Sequence, residues 1–326
     1  MNLKRQAAAV LLATLGLFAS FSARADWPND KPFTIIVPFA PGGVTDVFAR
    51  LLSRELQESF GKTFIVMNKP GAGGLLGTTL VAQAAPDGYT ILLSQIASQG
   101  TLPNLYQKIG YDPVKSFSPI ILLSGHPGVL AVNPSLPVKS VQELIDLAKA
   151  KPGSLNFASA GTGTTFHLSG ELFNLMAGVS MVPIHYQGGA PAVNATLSGE
   201  VNLVFSDFQT AMPHVKAGTL RALGVTSSKR SSAAPDLPAI SETPGLESFE
   251  VLSWMALAYP AGVPDGVAER MNVEVNKILK KPAVVEYLTR SGGTAIGGSR
   301  ADLSKHVDAE LAKWKSTIEK AKIPLQ

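Results

Sequence analysis

The chain has 326 residues, no cysteine and a formal net charge of +4. The absence of cysteine excludes disulfides and thiolate metal sites. The 28 Lys and Arg residues form no basic block and no basic-aromatic stripe, which argues against a nucleic-acid partner. The length exceeds what one hydrophobic core usually supports, so two lobes are expected.

The N-terminus has the pattern of a secretory signal peptide. Lys4 and Arg5 precede an apolar stretch from Ala7 to Ser20, and Ala23-Arg24-Ala25 places small residues where a signal peptidase reads them. The apolar stretch is shorter than the ~20 residues that span a bilayer. We therefore predict export to the periplasm with cleavage before Asp26, rather than a retained membrane anchor. Cleavage would remove three cations and no acid, which lowers the net charge from +4 to +1.

The first part of the remaining chain alternates β-branched runs with helical patterns. Strands are predicted at Phe33–Val37, 63–67, 90–93 and 119–123, with helices after the first strand and near 75–84. On the first helix, the predicted core face consists of Val47, Leu51, Leu52 and Leu56. Alternating strands and helices predict an α/β fold with a mostly parallel sheet and helices on both faces.

A second strand–helix series begins near Val129. Ser140 and Glu143 have the spacing of a capping box and predict a helix start. Strands are predicted at 155–158, 181–184, 202–205 and 220–225, with helices centred on 168–176, 191–197 and 210–216. Residues 227–248 are rich in Ser, Pro and Ala, which predicts a solvated connection.

The chain then returns to a strand at 252–259 and ends in helices. The last helix places five apolar residues on one face, namely Leu303, Val307, Leu311, Trp314 and Ile318. Such a helix needs a sheet to lie on, most simply that of the first lobe. We predict a signal peptide at 1–25, a first doubly wound lobe from 26–127 plus 252–326, and a second from 128–251. Two crossings between the lobes would form a hinge beside a ligand cleft.

Two loops, each between the end of a predicted strand and the start of a predicted helix, are candidates for ligand binding. The first runs from Phe39 to Asp46 and contains Gly42-Gly43, and the second runs from Ser159 to His167. Ligands of open α/β sheets bind beyond the carboxyl ends of strands, where glycines and the N–H groups of a helix start favour an anion. Neither loop contains Lys or Arg, which suits a carboxylate better than a phosphate. On opposite lobes, the loops would form a clamp around a small organic acid.

Structural roles for the same residues stay open. Gly42-Gly43 could be a tight turn, and Thr or Asp side chains of either loop could cap the following helix. His167 fits packing or hydrogen bonding better than the role of a base. Asp207, just past a strand, could accept a hydrogen bond from a ligand or cap the next helix. The glycine-rich segment 69–74 and the turn at Gln187 could also line the cleft.

The residues that we predict to contact the ligand are Phe39, Pro41, Gly42, Gly43, Thr45, Asp46, Ala72, Gly73, Ser94, Ser159, Gly161, Thr162, Gly163, Thr164, Thr165, His167, Gln187 and Asp207. The sequence contains no G-x-S-x-G and no H-E-x-x-H motif, and its five histidines lack metal-ligand spacing. We therefore predict no catalytic residue, no metal and no cofactor. A secreted hydrolase or lyase is the alternative that the missing motifs disfavour.

Several short motifs occur in order along the chain. They include Trp27-Pro28, Val37-Pro38-Phe39-Ala40-Pro41-Gly42-Gly43, Asn68-Lys69-Pro70-Gly71-Ala72-Gly73-Gly74, Pro86-Asp87-Gly88-Tyr89-Thr90, the loop from Gly161 to His167, Gly188-Gly189-Ala190-Pro191, Pro235-Asp236-Leu237-Pro238 and Pro260-Ala261-Gly262-Val263-Pro264. Together they resemble the Bug family, the solute-binding receptors of tripartite tricarboxylate transporters, over almost the whole chain after residue 25.

The resemblance implies a type II periplasmic-binding-protein architecture, a Venus flytrap of two lobes. In the family, loops of both lobes and ordered water hold a ligand carboxylate largely through backbone amides. The matching loops here are Phe39 to Asp46 and Ser159 to Thr165. Gln187 stands where the family often has Lys, and Asn194-Ala195 where an acidic residue is common, so the resemblance does not identify the ligand.

The resemblance also implies a partner. We expect a monomer that presents its bound acid to a membrane permease with one large and one small integral subunit. Docking of the ligand-loaded protein on the ectodomain of a sensor histidine kinase is the alternative, and its binding chemistry would be identical.

Overall fold

The computed structural model describes residues 27–28 and 31–326, so the predicted signal peptide lies outside the described residues. The strands are β1 (Phe33–Val37), β2 (Phe64–Asn68), β3 (Thr90–Gln95), β4 (Phe117–Val132), β5 (Asn156–Ser159), β6 (Val182–His185), β7 (Leu203–Asp207), β8 (Arg221–Val225), β9 (Leu252–Pro260) and β10 (Thr294–Ala295). The α-helices are α1 (Val44–Phe60), α2 (Leu75–Ala82), α3 (Leu102–Leu105), α4 (Val141–Ala150), α5 (Thr165–Ala177), α6 (Gly189–Ser198), α7 (Phe208–Lys216), α8 (Asp265–Ile278), α9 (Pro282–Arg290) and α10 (Arg300–Lys320). A π-helical segment at Ala97–Thr101 precedes α3.

Across residues 27–28 and 31–326, no helix combines the length and the apolar composition that crossing a membrane requires.

The strands form one hydrogen-bonded network in the order β2-β1-β3-β9-β4-β7-β5-β6, with β8 and β10 also paired to β4. The outer pairs are parallel: β1 with β2 and β3, and β5 with β6 and β7. β4 and β9 run antiparallel to each other and to their neighbours. The prediction of an α/β fold is confirmed. The prediction of a mostly parallel sheet is wrong for the centre of the sheet, where β4 and β9 are antiparallel. β4 carries the chain from the first set of strands to the second and β9 carries it back, so the two strands run in opposite directions.

β4 is a single strand of 16 residues, although the sequence predicted a short strand and a separate series after it. Its pattern is interrupted by Pro127 and Gly128, which ordinarily signal a turn. Residues up to Pro127 pair with β9, and residues from Gly128 pair with β7 and β8. β4 therefore changes partners where the two sets of strands meet.

The buried face of α1 differs from the predicted one. Phe48, Leu52 and Leu56 are fully buried, but Val47 is 44% exposed. The prediction for Val47 is wrong because the large Phe48 ring, stacked on Tyr287 at 5.5 Å, sets the orientation of the helix. The spacing of four apolar residues in the sequence did not distinguish the predicted face of α1 from the adjacent face that is buried.

The start of α4 follows the predicted cap with one difference. The Ser140 side chain accepts from the Glu143 N–H, as an N-cap does. The Glu143 carboxylate accepts from the backbone N–H of Lys139, at 2.6 Å, instead of from Ser140. Both interactions satisfy N–H groups at the start of the helix.

The connection predicted to be solvated is partly a core element. Ile240 and Leu246 are buried, and Ala239 forms a parallel bridge with Val225. Just beyond it, Phe249 packs edge-on against Phe173. The prediction for 227–248 is wrong because single apolar residues between Ser and Pro show no periodicity, yet each one fills a gap in the core.

The last helix, α10, buries four of its five predicted apolar residues, while Leu311 is partly buried. It contacts β4, α3 and the π-helical segment, and also α5 from the second series of elements. The prediction that α10 lies on the first lobe alone is therefore incomplete. The helix joins elements from both series around one core cluster.

Candidate functional site

The loop between β1 and α1 is held by Asp46. Gly42, in the left-handed region at φ +84°, donates its N–H to Asp46 Oδ2 at 2.9 Å. Arg50, one turn further on, donates from Nε and Nη2 to the same carboxylate at 3.1 and 3.0 Å. These hydrogen bonds from Arg50 hold the pKa of Asp46 below its usual range. Asp46 therefore fixes the loop as an ionised hydrogen-bond acceptor, while Gly43 is the N-cap.

The last residue of β2 supports the same loop. Asn68 Nδ2 donates to the carbonyl oxygen of Phe39 at 3.1 Å, and its Oδ1 accepts from Arg50 at 3.3 Å. A Cβ on Gly74 would lie 3.2 Å from the Phe39 ring, so the glycine lets the segment 69–74 approach this loop closely. Two of the sequence motifs thus form one structural unit around Phe39.

The loop between β5 and α5 uses part of its polar groups internally. The Ser159 hydroxyl donates to the Gly161 carbonyl at 3.0 Å and accepts from the Gly161 N–H at 3.2 Å. The Thr164 hydroxyl donates to the same carbonyl at 2.7 Å and caps α5. Within the described part of the chain, the N–H groups of Thr162 and Thr165 have no acceptor, which leaves them available to a ligand.

His167 lies beneath this loop and is 3% exposed. Its Nδ1 accepts from the Gly163 N–H at 3.1 Å, which assigns the ring proton to Nε2. Nε2 lies 3.6 Å from Glu171 Oε1, and the ring packs edge-on against His185 with centroids 4.8 Å apart. His167 therefore positions the loop through Gly163.

Replacing His167 with alanine is expected to lower the free energy of unfolding by about 2 kcal/mol, because a buried N–H loses its acceptor. Ligand affinity should also fall, since the loop at Gly163 is no longer held from below. His185→Ala removes the exposed neighbouring ring without removing a loop hydrogen bond and is the control. Chemical denaturation and calorimetric titration measure both effects; equal stability of the two variants would contradict this role.

Both loops line one cavity of about 300 Å³, here called the loop cavity. Phe39 of the first loop, Gly73 and Thr162 to Thr165 of the second loop line it, together with residues of the π-helical segment and α3. Gln95 and Ser253 also line it. No side chain that lines it carries a formal charge. One residue of the first loop and four of the second therefore line a common space, and the clamp itself stays a prediction.

A second cavity of about 200 Å³, the crossing cavity, lies where β4 changes partners. His126 of β4 pairs with Ser253 of β9, and Gly128 pairs with Asp207 of β7. Thr45 lines it too and accepts a hydrogen bond from Gln95 Nε2. Because Gln95 and Ser253 line both cavities, the two are adjacent.

The titratable groups of the crossing cavity are Asp207 and His126. Asp207 is reachable by solvent, yet protein surrounds it, and burial raises the pKa of its carboxyl above the usual range. Burial likewise lowers the pKa of His126, whose ring hydrogen-bonds to Ser124 Oγ at 3.1 Å and to the Ser291 backbone. His126 is therefore neutral near pH 7.

The predicted site residues divide by position. Those lining either cavity are Phe39, Thr45, Gly73, Thr162, Gly163, Thr164, Thr165 and Asp207. Those lining neither are Pro41, Gly42, Gly43, Asp46, Ala72, Ser94, Ser159, Gly161, His167 and Gln187. The Ser94 hydroxyl is buried and donates to Gln99, and Gln187 is exposed. Direct contact of any of these residues with a ligand stays a prediction.

Sequence reasoning missed several lining residues, chiefly Gln95, His126, Ser253 and Trp254. Gln95 ends β3, so the rule that ligands bind at the carboxyl ends of strands would have found it. The others lie on the antiparallel strands β4 and β9, where no local pattern marks them. The π-helical segment was also missed, although such segments are frequent at functional sites.

The chain is similar to known proteins over almost its full length. It is 35% identical over 321 residues to BugT of Bordetella pertussis, covering 98% of each chain. The solved structure of R. palustris Rpa4515 with adipate matches with a TM-score of 0.77 at 35% identity, covering 92% of this chain and 100% of that one. Rhodopseudomonas palustris MatC with bound malate matches with a TM-score of 0.72 at 30% identity, covering 89% and 99%.

These likenesses agree with the architecture of the chain. A family model described as the tripartite tricarboxylate transporter family receptor matches residues 48–323. That range includes most of α1, the strands β2 to β10 and all of α10. The chain therefore belongs to the receptor family of the tripartite tricarboxylate transporters, the solute-binding proteins that include the Bug proteins.

Proposed function

We propose that this protein is a periplasmic receptor that captures a small carboxylate reversibly, without converting it, and delivers it to a tripartite tricarboxylate-type permease. The observation that carries the proposal is the loop cavity of about 300 Å³, which Phe39, Gly73 and Thr162 to Thr165 line together. A volume of this size suits an acid of a few carbon atoms. The solved relatives bind adipate and malate, which are acids of this class.

The chemistry of the loop cavity favours an anion bound through neutral donors. α5 begins at the loop that supplies Thr162 to Thr165 to this cavity, and its start presents unpaired N–H groups and a partial positive charge. The N–H groups of Thr162 and Thr165 are the donors on the second loop. No lining side chain is charged, so an acid bound here would be held by neutral donors and not by Lys or Arg.

We infer that binding closes two lobes, 26–127 plus 252–326 and 128–251. The change of partners in β4 between Pro127 and Gly128 supports this division, because it is one of the two chain crossings. The return segment before β9 is the other. A ligand that touches loops on both lobes makes more contacts in the closed state and so raises its population.

The test is a thermal-shift comparison of acids with their matched amides, using purified protein. Hexanoate, adipate and malate form one set, and hexanamide, adipamide and malamide the other. A bound acid at a hundred times its Kd should stabilise the protein by about 2.7 kcal/mol, and its amide by far less. Absence of a shift with every small acid, or equal shifts for acid and amide, would contradict carboxylate capture.

Delivery is tested in cells that lack the gene. Uptake of the labelled acid should fall to the background of a permease deletion and return with the intact gene. Normal uptake combined with lost acid-dependent transcription would instead support docking on a sensor kinase.

A further inference from the structure

We propose that the ligand carries, at the end away from its carboxylate, a hydrogen-bond donor such as an ammonium or hydroxyl group that binds Asp207, and that a second carboxylate there is disfavoured. This inference rests on the proposed function and specifies its ligand class. The inference depends on the Asp207 side chain and on the absence of any hydrogen-bond or ion-pair partner for its carboxylate among the described residues.

Asp207 stands where the far end of a ligand would lie. It is the last residue of β7 and lines the crossing cavity. The crossing cavity adjoins the loop cavity through Gln95 and Ser253, so a ligand held by the two loops extends toward Asp207. The combined space of about 200 and 300 Å³ has room for a linear acid of four to six carbon atoms.

No structural role among the described residues accounts for the Asp207 carboxylate at this position. Asp207 precedes α7 as its N-cap residue, but its side chain makes no capping hydrogen bond. Among residues 27–28 and 31–326, no side chain donates a hydrogen bond to the carboxylate or forms an ion pair with it. The capping role left open by the sequence is therefore contradicted by the structure.

The surroundings of Asp207 supply no cation. Besides Asp207, none of the described residues that line the crossing cavity is Lys, Arg or Glu. His126 is the titratable one among them, and hydrogen bonds to Ser124 and to the Ser291 backbone engage its neutral ring. Asp207 is thus an unpaired acceptor in a space built for a ligand.

Electrostatics then selects the distal group of the ligand. Because Asp207 is exposed, a donor, and above all an ammonium group, displaces water from its carboxylate and pairs with its charge. A second carboxylate would place a like charge a few ångströms away, in a site with no cation to offset it. Discrimination of about tenfold or more between the two classes is expected.

The experiment compares acids of equal length. 6-Aminohexanoate, 6-hydroxyhexanoate and adipate form one set, and 4-aminobutanoate, 4-hydroxybutanoate and succinate form a shorter one. Titration calorimetry at pH 7.5 should give the amino acid of one set at least a tenfold lower Kd than its dicarboxylate, with the hydroxy acid between them. In Asp207→Asn the amino acid should lose most of this advantage and the dicarboxylate should bind more tightly than to wild type. Asp308→Asn, an exposed change of the same charge on α10, should leave the ratio unchanged.

The dependence on pH gives a second readout. With the pKa of Asp207 raised above its usual range, binding of the amino acid should strengthen as pH rises through that raised pKa. In the ligand-free protein the raised pKa means that the folded state binds more protons than the unfolded state, so stability falls as pH rises. Asp207→Asn should therefore melt above wild type at pH 7.5, with the difference vanishing toward pH 4.

The outcomes separate the two hypotheses. If the dicarboxylate of each set binds wild type more tightly than its amino acid, or if Asp207→Asn leaves their ratio unchanged, the inference is overturned and carboxylate capture stands. If none of the six acids and none of the acids in the thermal-shift set binds, carboxylate capture fails and the inference with it.

Discussion

Gly163→Ala is expected to weaken ligand binding by at least about tenfold and to lower the free energy of unfolding by about 2–4 kcal/mol. Gly163 has φ +75°, a conformation that costs a residue with a Cβ about 1–2 kcal/mol. Its added Cβ would also lie 2.2 Å from Cδ1 of Leu105. Leu105 is 1% exposed and cannot move aside without disturbing its neighbours in the core. The loop must therefore shift, and it carries the amides of Thr162 and Thr165 with it.

Three variants separate backbone strain at Gly163 from overlap of the added Cβ with Leu105. Gly161→Ala at φ +121° adds strain in open space, since its nearest atom would be 3.8 Å away, and should give a smaller loss. Gly266→Ala, on α8 with no atom within 4 Å, should be neutral or slightly stabilising. Combined with Leu105→Ala, Gly163→Ala should cost less than the sum of the single changes. Denaturation and calorimetric titration measure these differences, and an additive cycle would show that overlap with Leu105 is not the cause.

Glu310→Ala is expected to lower the free energy of unfolding by about 3–5 kcal/mol. Glu310, 6% exposed on α10, accepts at Oε2 from the indole Nε1 of Trp254 and of Trp314, both at 3.0 Å. Lys313 pairs with its other oxygen. Removal of the carboxylate leaves two buried indole N–H donors without an acceptor and removes the ion pair of Lys313, whose Nζ then keeps only the Glu250 carbonyl at 3.3 Å. Because Trp254 lines the crossing cavity, its orientation depends on this contact.

One control for Glu310→Ala retains an acceptor oxygen at the buried position, and the other removes an exposed glutamate instead. Glu310→Gln retains a carbonyl oxygen for one indole and should cost about half as much. Glu286→Ala removes an exposed i,i+4 partner of Arg290 and should change stability by less than about 0.5 kcal/mol. Urea denaturation followed by tryptophan fluorescence measures all three, and an emission shift of the folded state is expected for Glu310→Ala alone. Similar stability of Glu310→Ala and Glu286→Ala would refute the role of the buried carboxylate.

The main elements of the fold could be predicted from local pattern. The predicted strands at 155–158 and 252–259 lie within one residue of β5 and β9, and the predicted helix at 191–197 lies inside α6. β-Branched runs bounded by Gly, Pro and Ser act over a few residues, and so the signal survives without knowledge of the partner strands. Patterns of this kind failed where apolar residues lacked periodicity, as at Ile240 and Leu246, or where two helix faces were equally apolar, as at Val47.

The candidate site was predictable to the extent that it is built from strand-end loops. Gly42 and Gly163 mark positive-φ positions, and Thr164 marks a helix start, so both loops were found. Asp46 and Ser159 were also placed at the site, but their polar groups hold the loops themselves. Type and spacing of residues do not reveal which donors and acceptors a loop uses internally, because that depends on its folded backbone.

By itself the sequence determined an α/β chain, two glycine-rich helix entrances and the receptor family that their order resembles. Only the tertiary structure decided that β4 is one strand with a change of partners at Pro127 and that Gln95 and Ser253 join two cavities. It also left Asp207 without a partner in the described chain and buried Glu310 between two tryptophans that lie 60 residues apart in sequence number, 254 and 314. Turn chemistry and periodicity act between near neighbours, whereas these contacts join residues that only the packing of distant elements brings together.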